Sequence, residues 1–219
     1  MKNTLRVPAA FRARRPGRQA ERISTPVLPL ILASTSPARR VLLSALGLPF
    51  TAVAPGVEET LPEGVGVEEA VRTLAQRKAR AVAAQFPGAL VLGADQIGEM
   101  AGRLLQKPNS REEAQAQLRA LSGRTHRLLT AVCLCGDGQE ETVVEEARLQ
   151  LYPLSEKELQ AYLDTDEWQG CAASYRVEGR GQALMEHIEG DRTAIQGLPM
   201  QSVVRLLRRR GVPLLGQGA

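Results

Sequence analysis

Hydroxyl and guanidinium groups stand together where a short apolar run meets the start of a predicted helix. Residues 32–40 read LASTSPARR, so Ser34 and Ser36 are followed by Arg39 and Arg40. The free N–H groups and positive dipole at a helix start favour an anion, hydroxyls add donors, and arginine forks match phosphate oxygens. The pattern predicts a phosphate-binding helix start. A helix cap beside solvated arginines is the plainer alternative, because serine caps helices of every kind.

Charged residues further along the chain would complete a site for polyphosphate hydrolysis. They are Glu58 and Glu59 in GVEET, Lys78, Asp95 at the end of the apolar run ALVLGAD, and Lys107. Carboxylates hold Mg²⁺, cations neutralise phosphate oxygens, and a base or a metal must activate the attacking water. Ligands of open α/β sheets gather at the carboxyl ends of strands, where Asp95 is predicted to stand. The alternative is that these charges are unrelated surface residues, with the stem of Lys78 snorkelling past the core.

The elements that must position these residues alternate between strands and helices. The apolar run over 28–33 predicts a buried strand, and Ser36, Pro37 and Gly47 mark the start and end of a helix. Strands are further predicted over 89–95, 127–135 and 142–152, helices over 68–86, from Ser110, from Ser155 and over 199–210, a ribbon over 100–108 and a loop over 170–184. Continuous apolar runs beside period-two runs predict an α/β fold with a mixed sheet.

Composition narrows the classes of protein that this chain can be. Its 219 residues, 43% of them hydrophobic, suffice for one large domain or two lobes that share a core. No run of 18 apolar residues occurs, so we expect no membrane span. The three cysteines, Cys133, Cys135 and Cys171, lack metal-ligand spacing and are odd in number, so we expect small buried residues in a reducing, cytoplasmic protein.

The positive charge of the chain is concentrated at its start. Residues 1–27 contain seven Lys or Arg and one Glu, a net charge of +6, which leaves −2 for residues 28–219 of the total of +4. We therefore expect a basic, disordered extension over 1–27, or a start codon placed too early, followed by a globular domain over 28–219 with no nucleic-acid partner.

The sequence resembles the Maf family of nucleoside triphosphate pyrophosphatases. Motifs of that family occur in the family's order from about residue 30 to residue 211: LILASTSPARRVLL, GVEET, AQRKARAV, VLGADQ, QKP, LSGRTH and GLP. The resemblance implies a two-lobed Maf/ITPase-like α/β fold with an elongated mixed sheet and a central cleft. It also implies hydrolysis of a nucleoside triphosphate to a monophosphate and pyrophosphate, and suggests a homodimer.

The resemblance further implies a role for each matching residue. Asp95 would accept the proton of the water that attacks the α-phosphorus. Glu59, with Asp95, would bind a divalent cation, Mg²⁺, Mn²⁺ or Co²⁺. The phosphates would be bound by Ser34, Ser36, Arg39, Lys78 and Lys107.

Three positions, Ala38, Gln96 and Glu178, bear on the choice of base. The pyrimidine-specific branch of the family usually has SPRR, GADT and YGIQG where this chain has SPARR, GADQ and YRVEG. The latter two motifs resemble the branch that acts on 7-methyl-GTP. A carboxylate at Glu178 can accept from the N1–H and N2–H₂ groups of guanine and favours the positive charge of an N7-methylated ring. We therefore expect 7-methyl-GTP as substrate.

One feature, the alanine at position 38, leaves alternatives to this substrate open. Ala38 cannot stack on a base, so Trp168 or Tyr175 would have to supply a ring, although packing in the core is the simpler expectation for Trp168. The alternatives are a dTTP/UTP pyrophosphatase and a nucleotide-binding regulator of septum formation, the role from which the family takes its name.

Overall fold

The computed structural model of the protein describes residues 28–62 and 64–215. The extension predicted over residues 1–27 lies outside them. The strands are β1 (Leu30–Ala33), β2 (Phe50–Val53), β3 (Leu90–Met100), β4 (Arg103–Leu105), β5 (Thr125–Gly136), β6 (Gln139–Leu151) and β7 (Met185–Glu189). The helices are α1 (Pro37–Ser44), α2 (Val67–Ala83), α3 (Arg111–Leu121), α4 (Glu156–Leu163), α5 (Arg192–Ile195) and α6 (Met200–Arg209), with a 3₁₀ helix over Arg180–Leu184.

All seven strands form one mixed sheet. Its order is β2-β1-β3-β5-β6-β7, and β4 pairs with β3. Strand β1 runs parallel to β2 and β3, whereas β3, β5, β6 and β7 pair antiparallel. The predicted α/β class with a mixed sheet is confirmed.

A gap in this sheet separates two lobes. On one edge of β3, pairing with β1 ends at Gly93 and pairing with β4 begins at Gly98. Between them, residues 94–97 pair only with β5, on the other edge. One large cluster of buried residues lies at the β1 end of this gap with α1 and α6, and another lies at the β4 end with α3 and α4. The gap therefore opens the central cleft that the resemblance implied.

Helix α2 packs on β3 and β5 at an unusually close distance. A Cβ atom on Gly93 would lie 2.5 Å from both the carbonyl oxygen of Ala75 and the nitrogen of Ala79. Only glycine permits this approach, which brings the backbone of α2 onto the strand next to the gap. The residues that follow Ala75 on this face of α2 are thereby held close to residues 94–97.

Several boundaries differ from the prediction. Strand β3 continues to Met100, so Asp95 lies within a strand and not at its last residue, because antiparallel pairing with β5 extends the strand beyond the end of β1. Strands β2 and β7 were not predicted, and α2 ends at Ala83, three residues early. Strand β4 confirms the predicted ribbon. Within the described residues, no helix is both long and apolar enough to cross a membrane.

His126 on β5 makes the stability of the fold depend on pH. Its ring is buried, with Nε2 2.6 Å from the Tyr175 hydroxyl oxygen and with no partner for Nδ1 in the described part of the chain. Burial lowers the pKa of His126 to about 4. The pKa of His126 in the unfolded state is about 6.5. Between about pH 6.5 and about pH 4, the unfolded state therefore binds a proton that the folded state does not. The free energy of unfolding should therefore fall as pH falls through that range.

We expect the contribution of His126 to the pH dependence of the free energy of unfolding to vanish in the variant His126→Gln. Between about pH 7 and about pH 4.5, the wild type should lose about 2 kcal/mol more stability than the variant. Urea unfolding at both pH values measures the difference. His187→Gln, at an exposed histidine, is the matched control and should behave as the wild type. Equal pH dependence in His126→Gln and wild type would contradict the assignment to His126.

Candidate active site

The cleft at the gap in the sheet has a volume of about 1030 Å³. It is lined by all ten predicted site residues, namely Ser34, Ser36, Ala38, Arg39, Glu59, Lys78, Asp95, Gln96, Lys107 and Glu178. Arg40 and Glu58, which the sequence grouped with them, are not among its lining residues. Arg40 is exposed on α1, and the carboxylate of the exposed Glu58 accepts a hydrogen bond from the Thr60 hydroxyl at 2.5 Å.

Lys78 joins the two carboxylates that were predicted to bind a metal. Its Nζ lies 2.5 Å from Asp95 Oδ1 and 2.5 Å from Glu59 Oε1. The side chain of Lys78 is 6% exposed, so it does not snorkel to solvent. The close approach of α2 to β3 at Gly93 explains how a lysine on the apolar face of α2 reaches β3. Its hydrogen bond and charge lower the pKa of Glu59, which is therefore held ionised.

The start of α1 arranges donors at the other wall of the cleft. Ser36 caps the helix by accepting from the Arg39 N–H at 3.4 Å, and its own N–H donates to Ser34 Oγ at 3.1 Å. Arg39 donates from Nε to the Gly197 carbonyl oxygen at 2.7 Å and from one terminal nitrogen to Ser34 Oγ at 3.4 Å. Desolvation lowers the pKa of the Arg39 guanidinium, and the charges of Asp95 and Glu59 act in the opposite direction. The helix start thus presents an oriented cation beside hydroxyl groups, which suits an anion.

Gln96 is held by its amide nitrogen. Nε2 lies 2.9 Å from Thr130 Oγ1, 2.8 Å from the Ala194 carbonyl oxygen and 3.0 Å from that of Ile195. The Thr130 hydroxyl itself donates to the Ala194 carbonyl at 2.8 Å, so it accepts from Gln96. Because carbonyl oxygens only accept, the NH₂ end of the amide must face α5. The Oε1 end, which has no partner among the described residues, is left for the cleft.

The loop before the 3₁₀ helix supplies the remaining wall. Glu178 Oε1 lies 3.7 Å from Arg176 Nε, and both residues line the cleft. Tyr175 is buried and also lines the cleft, whereas Trp168 packs in the core and donates from Nε1 to the Leu163 carbonyl at 3.2 Å. The expectation that Trp168 is a core residue is confirmed. Val41, three residues after Ala38 on α1, also lines the cleft and is 70% exposed.

The expectation that all three cysteines are buried is wrong. Cys133 is buried, but Cys135 and Cys171 are only partly so, and Cys171 lines the cleft. Burial nevertheless raises the pKa of the Cys171 thiol, which keeps the thiol neutral.

Sequence reasoning missed four residues that shape the cleft. Arg176 stands in the quoted motif YRVEG and could have been found beside Glu178. Gly197 acts through its main-chain carbonyl, and Thr130 is a fully buried hydroxyl on β5, so neither gives a signal in the sequence. Val41 is a single exposed apolar residue, which is common on protein surfaces.

Two carboxylates of the cleft could bind a divalent cation together with phosphate. No group of three or more His, Cys, Asp or Glu side chains within residues 28–62 and 64–215 could hold a metal ion. Glu59 and Asp95 offer hard oxygen donors directed at one point, where they now hold an ammonium group. Mg²⁺ is commonly bound through one or two carboxylates together with substrate phosphates and water. The two carboxylates therefore suffice only if a ligand completes the coordination.

The chain is similar to known proteins over most of its length. A family model described as "Maf-like protein" matches residues 29–210. The dTTP/UTP pyrophosphatase of Symbiobacterium thermophilum is 42% identical over 87% of this chain and 98% of its own length. The 7-methyl-GTP pyrophosphatase of Nitrosococcus oceani is 42% identical over 85% and 95%. That of Xanthomonas oryzae pv. oryzae is 44% identical over 84% and 98%.

Proposed function

Because the chain belongs to the Maf family, we propose that it is a nucleoside triphosphate pyrophosphatase that hydrolyses 7-methyl-GTP to 7-methyl-GMP and pyrophosphate. Relatives named for this substrate and for dTTP/UTP are about equally similar to the chain, so identity does not decide between the bases. The choice rests on one observation, the orientation of the Gln96 amide.

Gln96 and Glu178 both offer only acceptors to a bound base. The amide nitrogen of Gln96 is committed to α5, so its carbonyl oxygen is the group available in the cleft. Guanine presents two adjacent donors, N1–H and N2–H₂, whereas uracil and thymine present one donor between two acceptors. Two acceptors therefore match guanine better, since a pyrimidine would leave acceptors facing acceptors. In its cationic form, the N7-methylated base has both donors and a positive charge that Glu178 favours.

The phosphate end of the cleft supports in-line attack by water. The donors at the start of α1, with Lys78 and Lys107, would neutralise the phosphates and hold the α-phosphorus in position. Asp95, whose Oδ1 accepts from Lys78 in the structure, would take the proton of the attacking water. The new P–O bond forms as the bond to the β-phosphate breaks, and pyrophosphate leaves. When bound by Glu59 and Asp95, a divalent cation would supply further positive charge to the phosphates.

Pyrophosphate release from a panel of nucleotides tests this function. Purified protein with Mg²⁺ or Mn²⁺ would be assayed on 7-methyl-GTP, GTP, dTTP, UTP and CTP. We expect kcat/KM for 7-methyl-GTP to exceed that for dTTP and UTP by about tenfold or more. The Symbiobacterium relative is named for dTTP and UTP. A preference for these two nucleotides would support the pyrophosphatase activity but reject 7-methyl-GTP as the substrate. No release from any nucleotide would favour the nucleotide-binding regulator of septum formation.

Glu178→Gln should shift the base preference. The amide replaces a charged acceptor by a neutral one and can turn an N–H towards the donors of guanine. Hydrogen bonds to charged groups contribute about 1.5–3 kcal/mol, so kcat/KM for 7-methyl-GTP should fall by about tenfold to a hundredfold. The kcat/KM for dTTP should fall by a smaller factor, or rise. Gln96→Thr is best left out of this experiment, because it would also remove the hydrogen bonds that hold α5.

The matched control is Glu189→Gln, at an exposed glutamate on β7 away from the cleft. This variant should leave kcat/KM unchanged for both 7-methyl-GTP and dTTP. If Glu178→Gln lowers kcat/KM equally for 7-methyl-GTP and dTTP, Glu178 does not distinguish the bases.

A further inference from the structure

Lys78 occupies the point at which the two metal-binding carboxylates meet. Its Nζ is 2.5 Å from an oxygen of Glu59 and 2.5 Å from an oxygen of Asp95. A divalent cation bound by the same two oxygens would need bonds of about 2.1 Å for Mg²⁺. Such an ion would lie too close to Nζ for these oxygens to hold both cations at once. The lysine and the metal therefore compete for one place.

We propose that Lys78 is an internal counter-ion that keeps the divalent cation out until a nucleotide triphosphate brings it in. This proposal rests on the proposed function, because it concerns the metal of that reaction. Without nucleotide, the ammonium balances part of the charge of two carboxylates in a largely buried position. A metal entering alone would have to displace this cation and leave it without a partner. Entry with a triphosphate avoids that cost, since phosphate oxygens accept the donors of Lys78.

The placement of each partner favours this exchange. Asp95 lies within β3, paired with β5, and its side chain is only 11% exposed, so its position is constrained. Glu59 lies on the connection between β2 and α2, and its side chain is 56% exposed. Lys78 has a flexible four-carbon stem with three donors. Lys78 can therefore turn from the carboxylates to the phosphates while Glu59 adjusts to the metal, with Asp95 as the fixed ligand.

Binding of Mn²⁺ alone to the nucleotide-free protein tests the proposal directly. Free Mn²⁺ would be measured by electron paramagnetic resonance in titrations of wild type, Lys78→Met and Arg80→Met. Lys78→Met removes the competing cation and should bind Mn²⁺ about tenfold more tightly or better. Arg80→Met removes the same charge from the exposed face of α2, where Arg80 pairs with Glu140, and should match the wild type. A folded Lys78→Met protein that binds Mn²⁺ no more tightly than Arg80→Met would overturn the proposal.

A second measurement uses the wild type only, so it does not depend on the folding of a variant. The melting temperature would be compared with Mn²⁺ alone, with a GTP analogue bearing a methylene bridge between the α- and β-phosphorus, and with both. A ligand raises the melting temperature only as far as it binds the folded state. We expect a small shift with Mn²⁺ alone and a shift with both that exceeds the separate shifts combined. A shift with Mn²⁺ alone equal to that with both would overturn the proposal.

These results separate the proposal from the function on which it rests. Tight binding of Mn²⁺ by the nucleotide-free wild type, together with release of pyrophosphate from 7-methyl-GTP, would reject the role of Lys78 and keep the function. Tighter Mn²⁺ binding in Lys78→Met, together with no pyrophosphate release by the wild type from any nucleotide, would keep the counter-ion and reject the function.

Discussion

Replacing Asp95 by asparagine should lower kcat for pyrophosphate release by about a thousandfold, near the upper part of what a general base contributes. Asparagine has the shape of aspartate but cannot take the proton of the attacking water. Nucleotide binding should persist, because the hydroxyl, arginine and lysine donors of the cleft remain. Removing a negative charge beside the phosphates should even strengthen it. Steady-state kinetics with 7-methyl-GTP, and calorimetry with the methylene-bridged GTP analogue, measure the two quantities separately.

Asp164→Asn provides the matched control for Asp95→Asn. Asp164 follows α4, is exposed, and pairs with Arg111, so its replacement should leave kcat unchanged. If Asp95→Asn retains more than about a tenth of the wild-type kcat, Asp95 is not the proton acceptor. The same variant distinguishes an enzyme from a regulator of septum formation. An enzyme would lose its cellular effect with its turnover, whereas a regulator that only binds nucleotide would keep that effect.

The charged and hydroxyl-bearing residues that line the cleft could be predicted because their types carry the chemistry, whereas Ala38, Gln96 and Glu178 were predicted from the family resemblance. Local signals in the sequence come from serines and arginines at a helix start and from charged residues on α2 and β3. These signals can be recognised without knowledge of the fold. The structure brings all ten predicted site residues to one cleft. The sequence also predicted the alternation of strands and helices, because apolar periodicity follows from which face of each element is buried.

The connections between these residues could not be predicted, since they depend on the packing of distant elements. Lys78 reaches Asp95 only because Gly93 lets α2 approach β3, and nothing local in the sequence shows that contact. Asp95 itself was expected at a strand end, but pairing with β5 carries β3 past it. The two orienting contacts of Arg39 and Gln96 are made to main-chain carbonyls at and after α5. Every residue has such a carbonyl, so residue type carries no information about it.

Arg39→Lys should lower kcat/KM by about a hundredfold to a thousandfold, the usual cost of losing one oriented donor to a transition state. The Nε of Arg39 donates to the Gly197 carbonyl, which fixes the plane of the guanidinium, and one terminal nitrogen donates to Ser34 Oγ. We expect the terminal nitrogens to bind phosphate. Lysine keeps the charge but has a single nitrogen, so it cannot hold Gly197 and bind phosphate in the same geometry. Pyrophosphate release measured over a range of 7-methyl-GTP concentrations gives the effect.

Arg40→Lys provides the matched control for Arg39→Lys, and a panel of nucleotides tests whether Arg39 contacts the phosphates or the base. Arg40→Lys makes the same change one position along α1, at an exposed side chain that is not among the lining residues of the cleft, and kcat/KM should stay within about twofold. If Arg39 binds phosphate and not the base, as we propose, Arg39→Lys should lower kcat/KM by the same factor for 7-methyl-GTP, GTP and dTTP. A loss confined to one base would mean that Arg39 contacts the base. An unchanged kcat/KM would mean that charge alone, without the fork held by Gly197, suffices at this position.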